Sequence, residues 1–279
     1  MEYATILVHL DGGRRVYQRL HLATQLARDF QATLIGLLAV GEAGPDSRRI
    51  LRGSDHYVTA HQEWQRAVAQ RAHHAFLGAT DEELIPTQWK APGDATAATV
   101  QAEAQLADLV ILGQRDPSDD AACGERSFIE SILLECGRPV LVVPHTGWFA
   151  GAGARVLVAW NGTREAVRAT SEAMPLLRRA GRIDVLTFVR PGAQGNAAAS
   201  PAKYAVDWLA SHGVSSHSQS VAVDNEDDIG ERMLSEAASR EVDLIVMGAF
   251  GHGRIRESLL GGVTQTILTS MTVPVLMSH

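Results

Sequence analysis

The sequence predicts an α/β protein with two doubly wound layers, each a parallel sheet covered by helices on both faces. Short runs rich in Val, Ile and Leu alternate with longer helical patterns, and runs such as DLVIL and DLIVM are apolar almost throughout. Continuously apolar strands are typical of parallel sheets that are buried on both faces. Alternation of strand and helix implies right-handed crossovers. The length of 279 residues favours two domains, each able to bury its own core.

Ten apolar runs are predicted to be strands, five in each half of the chain. In the first half they are Ala4–Leu10, Thr33–Val40, Leu84–Lys90, Asp108–Leu112 and Pro139–Val143. In the second half they are Arg155–Trp160, Arg182–Val189, Ser216–Val223, Asp243–Met247 and Pro274–Met277.

The helix predicted after the sixth strand carries clear local signals. Thr163 is a predicted N-cap, apolar residues including Ala166 and Val167 recur on one predicted inward face, and Gly181 ends the pattern. Pro175 interrupts the run, so we expect a kink or an early last turn there.

The two halves of the chain match each other, which indicates an internal duplication. ILVHLD at residues 6–11 matches VLVAWN at 156–161, an offset of 150 residues. ADLVILG at 107–113 matches VDLIVMG at 242–248, an offset of 135 that the closing strands share. A constant offset across different sequences is hard to obtain by chance.

The change of offset also indicates where the domains begin and end. It places extra residues in the first half, and Gly41–Asp55, rich in Gly, Pro and charge, is the predicted insertion. The Gly/Ala-rich segment Gly147–Arg155 is the predicted linker. We therefore expect one domain at residues 1–146 and a second at 154–279.

The composition and net charge of the chain argue against two classes of binding partner, nucleic acid and membrane. The chain is 46% hydrophobic and 20% charged, with a net charge of −7, so it lacks the basic surplus that binds nucleic acid. No run approaches the roughly 18 apolar residues of a membrane span, so we expect no membrane partner. The two cysteines, Cys123 and Cys136, lack CxxC spacing, which favours a reducing, cytoplasmic location.

A glycine-rich segment follows the strand predicted at Asp243–Met247. Gly248 and Gly251 come first, and Gly261 follows after nine further residues. Glycines let the backbone approach a ligand closely, and a helix that starts here would aim free N–H groups at an anion. Glycines that only serve turns and a helix start are the alternative. The patterns of a P-loop and of a dinucleotide-binding fingerprint do not occur.

This segment resembles the ATP-binding signature of the universal stress protein family, which is G-x-x-G, nine residues, then G-[ST]. The resemblance extends over both halves, so the chain is similar to a tandem universal stress protein. It implies two flavodoxin-like, adenine nucleotide hydrolase-like sheets of five parallel strands, in the order 3-2-1-4-5. Two residues depart from the family pattern: Gly262 stands in place of Ser or Thr, and Asn161 in place of the usual Asp.

The resemblance implies an ATP site in the second domain, with Mg²⁺ as a candidate companion ion. The adenine would lie near Ala159, Trp160 and Asn161 and near the second-strand residues Phe188 and Val189, and the ribose near Gly248. The residues expected around the phosphates are Gly251, His252, Gly261, Gly262, Val263 and Thr264. His252, Arg254 and Arg256 are candidate phosphate donors, or else solvated loop charges.

The first half retains less of the signature. At an offset of 135, Gly113 matches Gly248, but Asp116 stands at Gly251, with Arg126 and Ser127 at the positions of Gly261 and Gly262. A carboxylate would face the phosphates there, so we expect a degenerate site with a structural or regulatory role.

We expect an ATP-binding stress sensor or regulator that has a still unknown protein partner and is at most a weak ATPase. A nucleotide-free interaction scaffold and a slow ATP hydrolase are the alternatives. No catalytic constellation and no metal-ligand spacing is found in the sequence. The closing strands Pro139–Val143 and Pro274–Met277 are predicted to be apolar sheet edges that pair within the chain as an intramolecular pseudo-dimer, with a homodimer as the alternative.

Overall fold

The computed structural model divides the chain into two compact units. One unit comprises residues 3–138 and 148–150, and the other comprises residues 1–2, 139–147 and 151–279. The residues that the structure describes are 2–39, 55–81, 83–92, 97–119, 126–190, 201–225, 228–250 and 262–279.

The unit formed by the first half alternates strands and helices. Its elements are β1 Thr5–Leu10, α1 Val16–Phe30, β2 Thr33–Leu38, α2 Asp55–Thr80, β3 Thr87–Lys90, α3 Ala97–Ala104, β4 Leu109–Gly113 and α4 Arg126–Glu135. The strands are parallel in the order β3-β2-β1-β4, with Thr5 opposite Thr33 and Ile6 opposite Leu109.

The other unit contains the closing strand of the first half and all elements of the second half. They are β5 Val140–Val143, β6 Arg155–Ala159, α5 Arg164–Glu172, α6 Met174–Leu177, β7 Arg182–Val189, α7 Pro201–Ser211, β8 His217–Ala222, α8 Ile229–Ser239, β9 Leu244–Gly248, α9 Gly262–Ser270 and β10 Val275–Ser278. The strand order is β5-β10-β9-β6-β7-β8, with β5 antiparallel to β10 and the other neighbours parallel.

The predicted α/β class with parallel, doubly wound sheets is confirmed, and all ten predicted strands are present. The second half shows the full order 3-2-1-4-5, whereas the unit of the first half contains the order 3-2-1-4 and its fifth strand groups with β10. The third strand begins at Thr87 rather than at Leu84, which is exposed. Pro86 lacks an N–H and its carbonyl oxygen already accepts from Leu34 N at 2.9 Å, so pairing starts there.

The central strands lie in the core of their units, as continuously apolar runs require. Ile6, Leu7 and Val8 of β1 are fully buried. In β9, Ile245 and Val246 are fully buried as well. Helices therefore cover both faces of each sheet. Among the described residues, no helix is both long and apolar enough to cross a lipid bilayer.

The helix signals around Pro175 are confirmed in part. Thr163 caps α5 through its hydroxyl, which accepts from Ala166 N at 3.4 Å, and the helix stops before α6, which has Pro175 in its first turn. Val167 was expected to face inward, and this was wrong, because it is 49% exposed. The buried stripe of α5 starts at Ala166 and recurs at three- and four-residue steps, and Val167 lies one row beside it.

Candidate functional site

The predicted site residues that the structure describes in the second half lie at the carboxyl ends of neighbouring strands or in the first turn of α9. Ala159 at the end of β6 lies opposite Met247 of β9 on one side and Leu186 of β7 on the other. The first and fourth strands of this half are therefore adjacent, which makes this point the switch of the doubly wound sheet. Ligands of open α/β sheets bind in the crevice at such a point.

The loop that leaves β6 is shaped by Asn161. Its Oδ1 accepts from the Thr163 backbone N–H at 3.1 Å and from the Thr163 hydroxyl at 2.9 Å. Trp160 is half-buried, and its backbone N–H donates to the Leu186 carbonyl at 2.8 Å. Asn161 thus supports the cap of α5, and its place at the strand end agrees with the sequence prediction.

The second-strand residues of the predicted site lie at the end of β7. Phe188 and Val189 are half-buried, and the Val189 carbonyl accepts from Val223 N at 3.0 Å. Because β7 is the neighbour of β6, these two residues stand at the same sheet edge as Asn161.

Close packing against α5 requires a glycine at position 248, and the sequence analysis did not predict this packing. A Cβ at this position would lie 2.6 Å from Ala166 N and 2.7 Å from Glu165 Cβ. These distances are too short for any side chain, so a larger residue would push the first turn of α5 away from β9. The close approach seen here is to the helix, and the ribose contact of Gly248 stays a prediction.

The segment after β9 turns sharply at Phe250. This residue has a φ of +60°, in the left-handed region that a bulky side chain rarely adopts. Its backbone N–H donates to the Thr264 hydroxyl oxygen at 3.2 Å. Thr264, in the first turn of α9, is only 3% exposed. A hydroxyl that accepts one hydrogen bond can still donate another, so the bond to Phe250 is compatible with a phosphate contact.

The remaining predicted phosphate residues divide into two groups. Gly262 is exposed and Val263 is half-buried at the start of α9, where backbone N–H groups lack partners within the helix. Gly251, His252 and Gly261, together with the candidate donors Arg254 and Arg256, lie outside the described residues.

A hydrogen-bond network at the end of β10 reaches the same segment, and no pattern in the sequence predicted it. His279 Nδ1 lies 3.1 Å from the Ala249 carbonyl oxygen, and its ring contacts Phe250 edge-on with centroids 5.9 Å apart. The Arg168 guanidinium donates to the His279 main-chain oxygen at 2.8 Å. Sequence periodicity assigns His279 only to the end of a strand, because its partners become neighbours through strand pairing.

In the first half, a buried ion pair fills the corresponding crevice between β1 and β4. Arg19 Nη2 donates to Asp11 Oδ1 at 3.0 Å, and the side chains are only 5% and 3% exposed. A Cβ on Gly113 would lie 2.1 Å from Arg19 Nη1, so the guanidinium rests directly against this glycine. Asp11 also accepts from Gly13 N at 3.0 Å, as Asn161 accepts from Thr163 N.

Two further ion pairs join the loops of this crevice. Arg15 lies 3.5 Å from the buried Asp116, and Arg14 lies 3.5 Å from Asp119. Asp116 Oδ1 accepts from both the backbone N–H and the hydroxyl of Ser118, at 2.9 and 2.6 Å. The strand-end carboxylates Asp11 and Asp116 therefore have their partners within the first half itself.

Burial changes the ionisation of the groups beside Asp11. Burial lowers the pKa of His9 to about 4, although the nearby Asp11 opposes this shift. Neutral His9 donates from Nε2 to the Ala39 carbonyl oxygen at 2.9 Å. Burial alone would raise the pKa of Asp11, but the charge of Arg19 and the hydrogen bonds from Gly13 and Arg19 hold it below its ordinary value.

Within the described part of the chain, no group of three or more His, Cys, Asp or Glu side chains is arranged to hold a metal ion. Cys136 is buried, and its thiol donates to the Arg138 carbonyl oxygen at 3.4 Å. The described residues of the second-half site offer hydrogen-bonding groups: backbone N–H groups at a helix start and hydroxyl and amide groups at strand ends.

A doubly wound parallel sheet, in which α9 follows the strand β9 at the switch point, defines an α/β protein of nucleotide-binding-like fold. Residues 154–279 match the model of the universal stress protein family. None of the curated proteins matches the chain.

Solved structures resemble the chain over nearly its whole length. A universal stress protein from Archaeoglobus fulgidus DSM 4304 is 17% identical, with 99% of this chain and 98% of that chain covered and a TM-score of 0.71. A candidate universal stress protein from Pseudomonas aeruginosa UCBPP-PA14 is 18% identical, with 99% and 93% covered and a TM-score of 0.64. At such identities the similarity concerns the fold, which both halves of the chain share with these proteins.

Proposed function

We propose that the chain is a tandem universal stress protein that binds ATP in its second half and acts as a cytoplasmic stress sensor or regulator. The observation that supports the proposal is the position of the described residues at the two ends of the family's glycine motif. Gly248 ends β9 at the switch point, and Gly262 to Thr264 open α9, in the half that matches the family model.

The proposed site assigns roles by position along the strand ends. The adenine lies between the loop of Ala159, Trp160 and Asn161 and the β7 end at Phe188 and Val189. The ribose lies near Gly248. The phosphates meet the N-terminus of α9, whose dipole and N–H groups favour an anion. A Mg²⁺ ion would enter with the nucleotide, as a companion of its phosphates.

A binding role is better supported than turnover. In the described residues around the crevice we identify no carboxylate or imidazole placed to activate water at a phosphate. The glycine at position 262 also lacks the hydroxyl that the family signature provides. We therefore propose at most weak ATP hydrolysis.

The test begins with the protein as purified. Mass spectrometry of the denatured protein identifies any released nucleotide, and calorimetry of the nucleotide-free protein with ATP, ADP, AMP and cAMP measures affinity and stoichiometry. We expect one adenine nucleotide per chain. An absence of nucleotide in the purified protein, together with no binding of any of the four, would contradict the proposal.

The second candidate is an interaction scaffold whose crevice holds no nucleotide, and Gly262 in place of Ser or Thr favours it. Gly262→Ser restores the family hydroxyl and separates the two candidates. If the wild type binds ATP, the serine variant should bind more tightly. If both fail to bind, the scaffold is the better account.

A further inference from the structure

The path of the chain from β9 into the glycine loop is set by two residues, Ala249 and Phe250. Ala249 N donates to the Ser278 carbonyl at 2.8 Å, so it still follows the edge of β10. Phe250 then adopts its left-handed conformation, and Gly251 of the predicted phosphate loop comes next. The course of the backbone from β9 as far as Phe250 therefore depends on how these two residues are held.

Left-handed backbone at a residue as bulky as phenylalanine persists only when its surroundings fix it. Three contacts do so here. The Thr264 hydroxyl accepts from Phe250 N at 3.2 Å, the His279 ring packs edge-on against the Phe250 ring, and His279 Nδ1 donates to the Ala249 carbonyl at 3.1 Å. Two of the three contacts come from His279.

His279 is itself fixed from α5. Arg168 donates through Nη1 to the His279 main-chain oxygen at 2.8 Å and through Nε to Glu172 Oε1 at 2.9 Å. Glu172 Oε2 accepts from the Ser278 hydroxyl at 2.6 Å. These hydrogen bonds hold the end of β10 against α5, the helix whose N-terminus packs on Gly248.

We infer that His279 is a positioning residue for the turn at Ala249 and Phe250, acting through the Ala249 carbonyl and the Phe250 ring. This inference rests on the proposed function, because Gly248 and the first turn of α9, which flank this turn in the sequence, are proposed to contact the adenine nucleotide. His279 holds the turn, and Arg168 links the turn to α5.

The test compares His279→Ala with His279→Asn and with the control His217→Ala in the full-length protein. The Asn amide nitrogen can take the place of Nδ1 and donate to Ala249, so Asn restores the hydrogen bond but not the ring contact. His217 is exposed on the edge strand β8, which is separated from β10 by the three strands β9, β6 and β7, and its loss should change nothing at residues 249–250. Circular dichroism checks that each variant folds.

Two measurements are made on each variant. Hydrogen exchange in peptides covering residues 249–250 reports the turn without ligand, and calorimetry reports the Kd for ATP. We expect His279→Ala to speed this exchange and to raise the Kd about fivefold, the effect of one lost hydrogen bond. We expect His279→Asn to recover most of both, and His217→Ala to match the wild type.

The outcomes separate the inference from the proposed function. Unchanged exchange at 249–250 in a folded His279→Ala protein overturns the inference. Faster exchange at 249–250 with an unchanged Kd for ATP overturns the part of the inference that concerns nucleotide binding. Faster exchange in a protein whose wild type binds no nucleotide supports the positioning of the turn and overturns the proposed function. If His279→Ala does not fold, His279→Phe takes its place, because it keeps a ring beside Phe250 and loses the hydrogen bond to Ala249, and unchanged exchange at 249–250 then overturns the inference.

Discussion

The buried pair of Asp11 and Arg19 determines what occupies the strand-end crevice of the first half. Their ion pair lies where the sheet order switches between β1 and β4, with the guanidinium against Gly113. At an offset of 150 the second half has Asn161 and Ala169 at these two positions. The charged pair of the first half thus corresponds to a neutral pair of smaller total size in the second.

We expect Arg19→Ala to lower the free energy of unfolding of the first half by about 3–5 kcal/mol, because it leaves the buried Asp11 without its partner. The double variant Asp11→Asn/Arg19→Ala copies the second half and should be more stable than Arg19→Ala alone. Asn can still accept from Gly13 N, and neither of the two positions then carries a buried charge. Urea unfolding of both variants measures the difference, and a double variant less stable than Arg19→Ala would show that the charge of Asp11 is not the cause.

His9 makes the stability of the first half depend on pH. Its pKa is about 4 in the folded protein against an ordinary 6.5, so the unfolded chain binds a proton more readily between these values. The contribution of His9 to the free energy of unfolding is therefore complete above pH 6.5. Roughly 3 kcal/mol of it is lost as the pH falls toward 4. The lowered pKa of Asp11 keeps its contribution intact in this window, since that is lost only at more acidic pH.

The matched variant is His9→Gln, whose amide nitrogen can still donate to the Ala39 carbonyl but does not titrate. Urea unfolding at pH 7 and at pH 4.5 should show a smaller loss of stability in this variant than in the wild type. Equal losses would assign the pH dependence to other groups.

At the scale of elements, the closing strands pair as their apolar sequences predict. β5 and β10 are antiparallel, with Leu141 opposite Leu276 and Val142 opposite Val275. Leu141 and Leu276 are also related by the offset of 135, so the register is centred on equivalent residues. The pairing buries two strands that would otherwise be exposed apolar edges.

Charged substitutions at the facing residues Val142 and Val275 test this register. Val142→Asp/Val275→Asp places two carboxylates opposite each other in a fully buried pair, and we expect the largest loss of thermal stability from it. Val142→Asp/Val275→Lys introduces the same number of charges with opposite signs and should unfold at a higher temperature. Equal melting temperatures would show that the two positions do not face each other in solution.

At the scale of the whole molecule, the two halves differ in the side chains at their strand-end crevices. The first half has the Asp11–Arg19 and Arg15–Asp116 pairs, whereas the second half has Asn161 and Ala169 in place of the first pair, and α9 begins after β9. One chain is therefore expected to bind one nucleotide, although it contains two related sheets.

Gly251→Asp, which copies Asp116 of the first half, should reduce the stoichiometry of ATP binding from one to none while the protein stays folded. The carboxylate would repel the phosphates and block the close approach of the backbone, at a cost above the ~1 kcal/mol of one lost hydrogen bond. Gly251→Asn has the same size without the charge and should retain more affinity. Calorimetry gives both values, and unchanged binding in Gly251→Asp would show that the phosphates lie elsewhere.

The sequence by itself determined the α/β class, all ten strands and the Thr163 cap. These features depend on local composition and on spacing along the chain, which a sequence displays directly. It also predicted the pairing of the closing strands, since uncharged apolar strands at sheet edges need partners.

Only the tertiary structure decided which groups meet at the strand ends. Gly248 packs on α5, Thr264 holds Phe250, His279 reaches Ala249, and Arg19 fills the crevice at Gly113. These partners are separated along the chain by from 14 to more than 90 residues, and strand order and helix packing bring them together. The physical reason is that hydrogen bonds and ion pairs act over a few ångströms, so their partners are fixed by the fold and not by distance along the chain.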